Sequence, residues 1–288
     1  MVLKLKQHCL IQIVKGEEML NLKDSEFREL TGYMKTNYGI NLTEKKLLIE
    51  GRLSNVVTDK GFSNFSDYLK FVFKDASGNE ITNLINKLTT NHTFFMREAE
   101  HFKYFSDTVL PYLQASSRNK DLRIWSAGCS SGEEPYTLAM IISDYFGNEK
   151  TIWNTKILAT DISQKVLEQA KNAVYSGEAV NTLSKYWMMQ YFNKIDNENY
   201  QITEEIRNEV IYREFNLMAE TFPFKKKFHV IFCRNVMIYF EPKTKMELIN
   251  KFYDMTESGG YLFIGHSESI NKNETEYKYI MPAVYRKG

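Results

Sequence analysis

Residues 122–140, LRIWSAGCSSGEEPYTLAM, decide the fold. Residues 122–127 are short, largely apolar and compatible with a β-strand, GCSSG follows as a turn of small residues, and the glutamates begin a helix. Pro135 stands in the first turn of that helix, where a missing backbone N–H removes no hydrogen bond. A strand that leads through a glycine turn into a helix N-terminus lets a ligand approach closely and offers it free N–H groups. The stretch therefore predicts a small-ligand site at one edge of a parallel sheet.

The next predicted strand, ILATD, indicates which kind of ligand binds. It ends in Asp161, and an acid at this position is placed to accept hydrogen bonds from ribose hydroxyls. A dinucleotide site needs G-x-G-x-x-G, whereas Gly128 and Gly132 are separated by CSS, which argues against an NAD-dependent dehydrogenase. Glu133 and Glu134 would repel a pyrophosphate but suit a ligand with an ammonium group, such as S-adenosylmethionine. The alternative is that these two acids only favour the helix dipole.

Composition limits the remaining choices. The 288 residues are 43% hydrophobic and 25% charged with a net charge of +1, so no bulk field predicts binding to nucleic acid or an acidic membrane. The widely spaced Cys9, Cys129 and Cys233 form neither a metal pattern nor a disulfide framework, which favours a reducing cytoplasm. No apolar run approaches the ~20 residues of a membrane span.

The chain divides by its periodicity into several parts. Residues 1–21 are predicted to be a leader that precedes the folded domains, and residues 22–90 an all-helical domain of short amphipathic helices. Residues 91–115 are predicted to be a junction that ends in a helix. Residues 116–288 then alternate strands and helices as an α/β domain, with a small antiparallel β-subdomain inserted at about residues 175–212.

Several apolar strands of this domain end in polar residues. Besides the glycine turn and Asp161, these are Asn216 and the pair Arg234 and Asn235. Because ligands of open α/β sheets bind at the carboxyl ends of the strands, we expect these residues to meet at one crevice. NYQIT and NEVIYREF are predicted to be antiparallel neighbours, which form an insertion or supply the third strand of the sheet domain after a hairpin. Residues 276–286 are predicted to be a final antiparallel strand, with Pro282 at an edge or bulge.

The motifs TTNHTFFMRE, IWSAGCSSGEEPYTLAM, ILATDIS, Asn216-Leu217, IFCRNVMIYF and GHSE, in this order, resemble the CheR-type chemotaxis receptor methyltransferases. The resemblance runs from about residue 22 to the C-terminus. It implies a Rossmann-like S-adenosylmethionine-dependent methyltransferase domain with an N-terminal helical domain and an inserted β-subdomain. It also implies that γ-glutamyl methyl esters are formed on methyl-accepting chemotaxis receptors, with S-adenosylhomocysteine as the second product.

The resemblance also implies which residues form the site. These are Asn91, Thr93, Arg97, Gly128, Glu133 or Glu134, Asp161, Asn216, Leu217, Arg234, Asn235 and Tyr239. Asp161 holds the ribose hydroxyls, while Asn216 and Leu217 border the adenine. Arg97 and Tyr239 form the catalytic pair, in which Arg97 orients the incoming carboxylate and Tyr239 lies near the reacting sulfonium. No metal is predicted.

The implied partner is the cytoplasmic helical region of chemotaxis receptors, with recruitment of a monomeric protein to membrane receptor arrays and no insertion into the membrane. Some family members bind a tethering peptide at the receptor C-terminus through a glycine-containing turn of the β-subdomain. Residues 192–210 contain no glycine, which argues against tethering and favours direct recognition of the methylation region.

The sequence also argues against two other functions. A nucleic-acid methyltransferase that acts on exocyclic amines has an Asp/Asn-Pro-Pro-aromatic loop after its fourth strand, where residues 234–239 here are RNVMIY. The near-neutral charge also argues against nucleic acid. A non-catalytic S-adenosylmethionine-binding adaptor is disfavoured by Arg97 and Tyr239, and it remains the alternative that an esterification assay tests.

Overall fold

The structure is a computed structural model that describes residues 20–89, 92–117, 119–271 and 273–288. Most of the predicted leader lies outside these ranges. Within them, no helix is long and apolar enough to cross a membrane.

The N-terminal part is a bundle of helices with a core of its own. Its helices are α1 (Asp24–Tyr38), α2 (Lys46–Asp59), α3 (Phe65–Lys74) and α4 (Asn79–Leu88). Each helix presents one apolar face, and residues such as Leu30, Leu53 and Leu84 are completely buried between them. Gly39 ends α1 in the left-handed conformation with φ of 71°, which a glycine adopts without strain.

A helical segment connects the bundle to the sheet. It consists of α5 (Ala99–Tyr104), a π-helical turn (Phe105–Val109) and α6 (Leu110–Ser116). Phe102 and Phe105 both contact Phe232 of the central sheet, with ring centroids 6.2 and 5.7 Å apart. The segment is therefore packed into the sheet core, which fixes the residues that precede it.

The rest of the chain alternates strands and helices. In order, its elements are β1 (Ile124–Ala127), α7 (Glu133–Phe146), β2 (Ile157–Asp161), α8 (Gln164–Asn172), β3 (Val174–Ser176), α9 (Gly177–Val180), α10 (Lys185–Tyr191), β4 (Phe192–Lys194), β5 (Asn199–Ile202), α11 (Glu204–Arg207), β6 (Val210–Glu214), β7 (Phe228–Cys233), α12 (Pro242–Met255), β8 (Thr256–Ile264), β9 (Lys278–Met281) and β10 (Val284–Arg286). Seven strands form one sheet in the order β6-β2-β1-β7-β8-β10-β9. The predicted α/β fold is confirmed.

The parallel part of this sheet explains the apolar sequences of its strands. The β1 and β7 strands pair in parallel and are covered on both faces, so they contain near-continuous apolar residues. The chain runs from β1 to β2 on one side and returns to β7 on the other, so β1 lies at the topological switch point. Ligands of such sheets bind outside the carboxyl end of the strand at that point.

The small sheet corrects one predicted pairing. NYQIT forms β5, which pairs antiparallel with β3 and β4 in the order β3-β5-β4, and this confirms a small antiparallel β-subdomain. NEVIYREF instead forms β6, which pairs in parallel with β2 of the large sheet, so the predicted antiparallel pair is wrong. Glu204 and Glu205, between the two segments, belong to the helical turn α11, which separates the two strands.

The C-terminus contains a hairpin in place of the single predicted strand. The β10 strand pairs antiparallel with β8, and β9 adds to its outer side. Pro282 and Ala283 lie between the two strands, and Ala283 has φ of 62°. The proline that suggested an edge or bulge therefore stands in the turn.

Candidate functional site

A cleft of about 450 Å³ opens at the carboxyl ends of the parallel strands. Its walls come from the helical bundle, the junction and the α/β domain together. The residues that line it are Tyr38, Ile40, Ile85, Asn86, Thr89, His92, Thr93, Phe94, Arg97, Phe102, Gly128, Cys129, Ser130, Glu134, Asp161, Ile162, Phe215, Asn216, Leu217, Arg234, Asn235, Val236, Ile238, Tyr239 and Phe240. The volume is in the range of about 300–1,000 Å³ that is usual for small-molecule sites.

The glycine turn after β1 approaches the opposite wall very closely. Gly128 has φ of 83°, and a Cβ atom there would lie 2.4 Å from Cγ2 of Val236. Its N–H donates to the carbonyl of Thr160, at 2.8 Å, which ties the turn to the end of β2. Only glycine satisfies both the backbone conformation and the space at this position.

Asp161 accepts hydrogen bonds from the backbone on both sides of the cleft floor. Its Oδ2 accepts from the N–H of Ser130 at 2.9 Å, and its Oδ1 accepts from the N–H of Ser163 at 3.0 Å. Burial raises the pKa of Asp161, while these backbone donors oppose the rise. A carboxylate has about four acceptor positions, so acceptor capacity remains for a ligand. The hydroxyl of Ser130 is also buried in the cleft wall without a hydrogen-bond partner.

The two glutamates at the start of α7 lie in different environments. Glu134 lines the cleft, where it accepts from Oγ of Ser126 at 2.7 Å and from Nη1 of Arg234 at 2.9 Å. Glu133 does not line the cleft, and its carboxylate accepts from Oγ of Ser131 at 2.8 and 3.0 Å. Burial raises the pKa of Glu133. The geometry therefore favours Glu134 as the residue that faces a ligand.

Arg234, which follows β7, is a buried cation between two carboxylates. Its side chain is 3% exposed and lies 2.9 Å from Glu134 and 3.2 Å from Glu98. It also donates to the carbonyl of Arg97, and its guanidinium lies 5.1 Å from the centroid of the Phe102 ring. A buried charge needs such pairing, because removal of one partner leaves the other uncompensated.

The junction supplies the half-exposed edge of the cleft. Thr93 and Arg97 both line it, and Nη1 of Arg97 donates to the carbonyl of His92 at 2.6 Å. The guanidinium lies 5.9 Å from the ring centroid of Phe94. These contacts hold Arg97 at the opening while leaving other donors of its five available. The predicted contact Asn91 lies outside the described residues.

The remaining predicted residues lie where the bundle meets the α/β domain. Asn216 donates from Nδ2 to the carbonyl of Asn37 at 2.9 Å, and Leu217 beside it is buried. The carbonyl of Tyr239 accepts from the N–H of Asn41 at 2.8 Å. All three predicted residues line the cleft, so the adenine-side and reacting-end candidates share one cavity.

The sequence prediction missed one wall of the site. Residues of the bundle, and neighbours of the predicted residues in the α/β domain, also line the cleft, among them Tyr38, Ile40, Ile85, Asn86, Thr89, Ile162, Phe215, Val236 and Ile238. For the second group the signal was adjacency to a predicted site residue. The first group has no local signal, because it reaches the cleft only when the bundle docks.

The charges around the cleft favour a cationic ligand. Three carboxylates, Glu98, Glu134 and Asp161, and the guanidiniums of Arg97 and Arg234 lie in the cleft wall or directly behind it. In their usual ionised forms they leave an excess of one negative charge. Together with the free acceptor positions of Asp161, this set fits a ligand with ribose hydroxyls and a net positive charge, which describes S-adenosylmethionine.

A parallel sheet with a glycine turn at its switch point, an acid at the end of the second strand and this charge set define an S-adenosylmethionine-dependent methyltransferase. The model of the CheR methyltransferase all-alpha domain matches residues 25–89, and that of the CheR methyltransferase SAM binding domain matches residues 91–285. The chain belongs to the CheR methyltransferase family.

Curated relatives match over nearly the whole chain. A chemotaxis protein methyltransferase of Borreliella burgdorferi is 45% identical over 93% of this chain and 96% of its own length. One of Escherichia coli is 34% identical over 95% of this chain and 94% of its own length. A probable chemotaxis protein methyltransferase of Rhizobium etli is 37% identical over 87% of this chain and 98% of its own length.

Proposed function

We propose that the protein transfers the methyl group of S-adenosylmethionine to glutamate side chains of methyl-accepting chemotaxis receptors, and so forms γ-glutamyl methyl esters during chemotactic adaptation. The observation that supports this most directly is the single cleft that contains a ribose-type acceptor, Asp161, and a half-exposed cation, Arg97. A cofactor and an anionic substrate can therefore meet in one cavity.

Different residues of the donor site bind different parts of the ligand. Asp161 offers its remaining acceptor capacity to the ribose hydroxyls, while Asn216 and Leu217 border the base. Glu134 faces the ammonium group, with Arg234 holding its carboxylate in place. Thr93 and Asn235 complete the walls, together with Gly128, which admits the ligand close to the backbone.

The acceptor needs positioning more than activation. When bound, S-adenosylmethionine supplies an electrophilic methyl group on a sulfonium. A glutamate with a pKa of about 4.3 is already ionised at pH 7, so the protein needs no strong general base. We assign Arg97 the orientation of this carboxylate, with Tyr239 as a second hydrogen-bond donor. Their task is to hold the reacting atoms in line at roughly 3 Å, in a cleft lined by fixed protein dipoles.

We also propose how the chain is organised and what it meets. Residues 22–90 act as the helical domain, residues 91–115 as the junction and residues 116–288 as the methyltransferase domain. The protein acts as a cytoplasmic monomer that is recruited to receptor arrays and recognises the helical methylation region. In the β-subdomain the glycine-free turn between β4 and β5 is held by Asp196, which accepts from the N–H groups of Glu198 and Asn199 at 2.8 Å.

The test is an esterification assay. Purified protein is incubated with donor labelled in the methyl group and with membranes that contain receptors, and base-labile label on the receptor is counted. Base-labile counts support the proposal. Binding of S-adenosylhomocysteine without any base-labile counts would instead indicate a non-catalytic adaptor. Receptors lacking their C-terminal residues should be methylated at the same rate if tethering plays no part.

A further inference from the structure

Glu98 connects three distant segments beneath the cleft. Its Oε2 accepts from Nη2 and Nε of Arg234 at 3.2 and 3.4 Å, and its Oε1 accepts from Nδ2 of Asn235 at 3.3 Å and from the N–H of His266 at 3.1 Å. Glu98 is not one of the described residues that line the cleft. Its carboxylate therefore contacts residues of the donor site from behind.

The surroundings of Glu98 also have the composition of a metal site. Ligand atoms of Glu98, His101 and His266 lie within 4.8 Å of one another. However, both oxygens of Glu98 already accept hydrogen bonds from N–H donors. One of these donors is the positively charged guanidinium of Arg234, with which a divalent cation would have to compete. Burial, together with the Arg234 charge, lowers the pKa of His101 to about 4, so His101 is neutral at pH 7 and adds no competing charge.

We propose that Glu98 is a positioning residue of the donor site, which holds Arg234 and Asn235 in the orientation that binds S-adenosylmethionine. This inference rests on the proposed function. Arg234 lies between Glu98 and Glu134, so loss of charge at Glu98 leaves the guanidinium attracted to Glu134 alone. Glu134 and Arg234 both line the cleft, and a shift of this pair changes the surface that meets the donor.

Asn235 depends on the same carboxylate. Its backbone has φ of 59°, and its N–H donates to Oε2 of Glu268 at 3.1 Å while its side chain donates to Glu98. Glu268 thus fixes the backbone and Glu98 fixes the rotation of the amide group. Without Glu98 the amide group of Asn235 is free to rotate. Ligand binding must then order it, and the conformational entropy lost in doing so weakens binding.

The informative substitution is Glu98→Gln. Glutamine keeps the shape but offers one oxygen, so its NH₂ group must face either Arg234 or the donors of Asn235 and His266. At least one hydrogen bond is lost in either orientation. Glu98→Asp is the second variant, because it retains the charge that compensates Arg234 but is shorter. Glu100→Gln, an exposed acid two residues along the chain, is the matched control.

The experiment measures binding of S-adenosylhomocysteine to the full chain by calorimetry, with melting temperatures and KM values for donor and receptor measured alongside. Glu98→Gln is expected to raise the Kd at least about tenfold, the factor for one lost charge-assisted hydrogen bond. Glu98→Asp is expected to raise it less, and Glu100→Gln to leave it unchanged. The KM for receptor should remain close to that of the wild type in all three variants. The melting temperature of Glu98→Gln should fall, because the buried Arg234 loses one of its two charged partners, whereas that of Glu100→Gln should not change.

A second measurement tests whether Glu98 acts through Asn235. Asn235→Gly removes the amide group without strain at this φ, and Glu98→Gln should raise the Kd by a clearly smaller factor in that background. Equal factors in both backgrounds, or a folded Glu98→Gln or Glu98→Asp variant with the wild-type Kd, would overturn the proposal. Failure of the wild-type protein to bind donor or esterify receptors would instead refute the proposed function itself.

Discussion

The replacement of Asp161 by alanine tests the donor site most directly. In the structure the two carboxylate oxygens each accept one backbone N–H, from Ser130 and Ser163, and retain acceptor positions toward the cleft. Alanine removes the acceptors for both ribose hydroxyls and also leaves the two N–H groups without this partner. Binding of the donor product S-adenosylhomocysteine should therefore suffer more than folding.

The magnitude follows from these contacts. A hydrogen bond to a charged group contributes about 1.5–3 kcal/mol, so two contribute about 3–6 kcal/mol. At about 1.4 kcal/mol for each factor of ten, the Kd should rise by roughly 10² to 10⁴. Asp161→Asn retains one acceptor oxygen and should fall between alanine and the wild type. The loss of stability should be partly offset, because burial raises the pKa of Asp161 and the ionised group is costly in the fold.

The assay is isothermal titration of S-adenosylhomocysteine into purified protein at constant pH and salt. Asp59→Ala, a change at an exposed acid of the bundle, controls for the loss of one negative charge. A Kd for Asp161→Ala within about twofold of the wild-type value, in a folded protein, would show that this carboxylate does not hold the ligand. The ribose assignment and the orientation of the donor in the cleft would then both be wrong.

Three further predictions concern the substrate, the glycine turn and pH. Arg97→Ala should abolish ester formation while the Kd for S-adenosylhomocysteine stays within about threefold of the wild type. The reason is that the guanidinium pairs with the carboxylate of the substrate glutamate and not with the donor. Normal turnover would refute this role. Gly128→Ala should lower the free energy of unfolding by clearly more than the control Gly61→Ala. Gly61 has φ of 82° with open space around it, so its replacement costs only the left-handed backbone strain of about 1–2 kcal/mol, whereas a Cβ at Gly128 would also meet Val236. Equal losses in urea titrations would contradict the close approach. Glu209→Gln should lower stability by about 1 kcal/mol at pH 7 and by progressively less as the pH falls below about 4.3. A loss that does not change with pH would exclude a charge effect.

The sign of the last prediction follows from the direction of the pKa shift. Burial alone would raise the pKa of Glu209, but the charges of Lys150 and Lys156 and the hydroxyl of Thr155 outweigh it and lower the pKa below its ordinary value. A carboxyl group whose pKa is lower in the folded state stabilises the protein above its unfolded pKa of about 4.3. This contribution is lost as the pH falls through the folded pKa. Melting temperatures of both proteins measured across that range give the comparison.

The sequence by itself determined the central strand–turn–helix unit and the acid at the end of the second strand. These features are local: β1 is apolar because both faces of a central parallel strand are covered, and the turn that follows needs a glycine because Gly128 has φ of 83°. Asp161 follows directly from its position at the end of β2. Such signals need no knowledge of distant residues, which is why the fold class and the position of the cleft at the carboxyl ends of the strands could be predicted.

Only the tertiary structure decided which acids and walls form the site. Glu133 and Glu134 are neighbours in sequence, but successive residues of a helix point about 100° apart, and the packing of α7 turns only Glu134 into the cleft. The same holds for Glu98, whose partners Arg234 and Asn235 are more than a hundred residues away, and for β6, which joins the large sheet instead of pairing with β5. Strand register and domain docking depend on contacts between distant segments, and a local pattern of residues does not specify which distant surface will cover it.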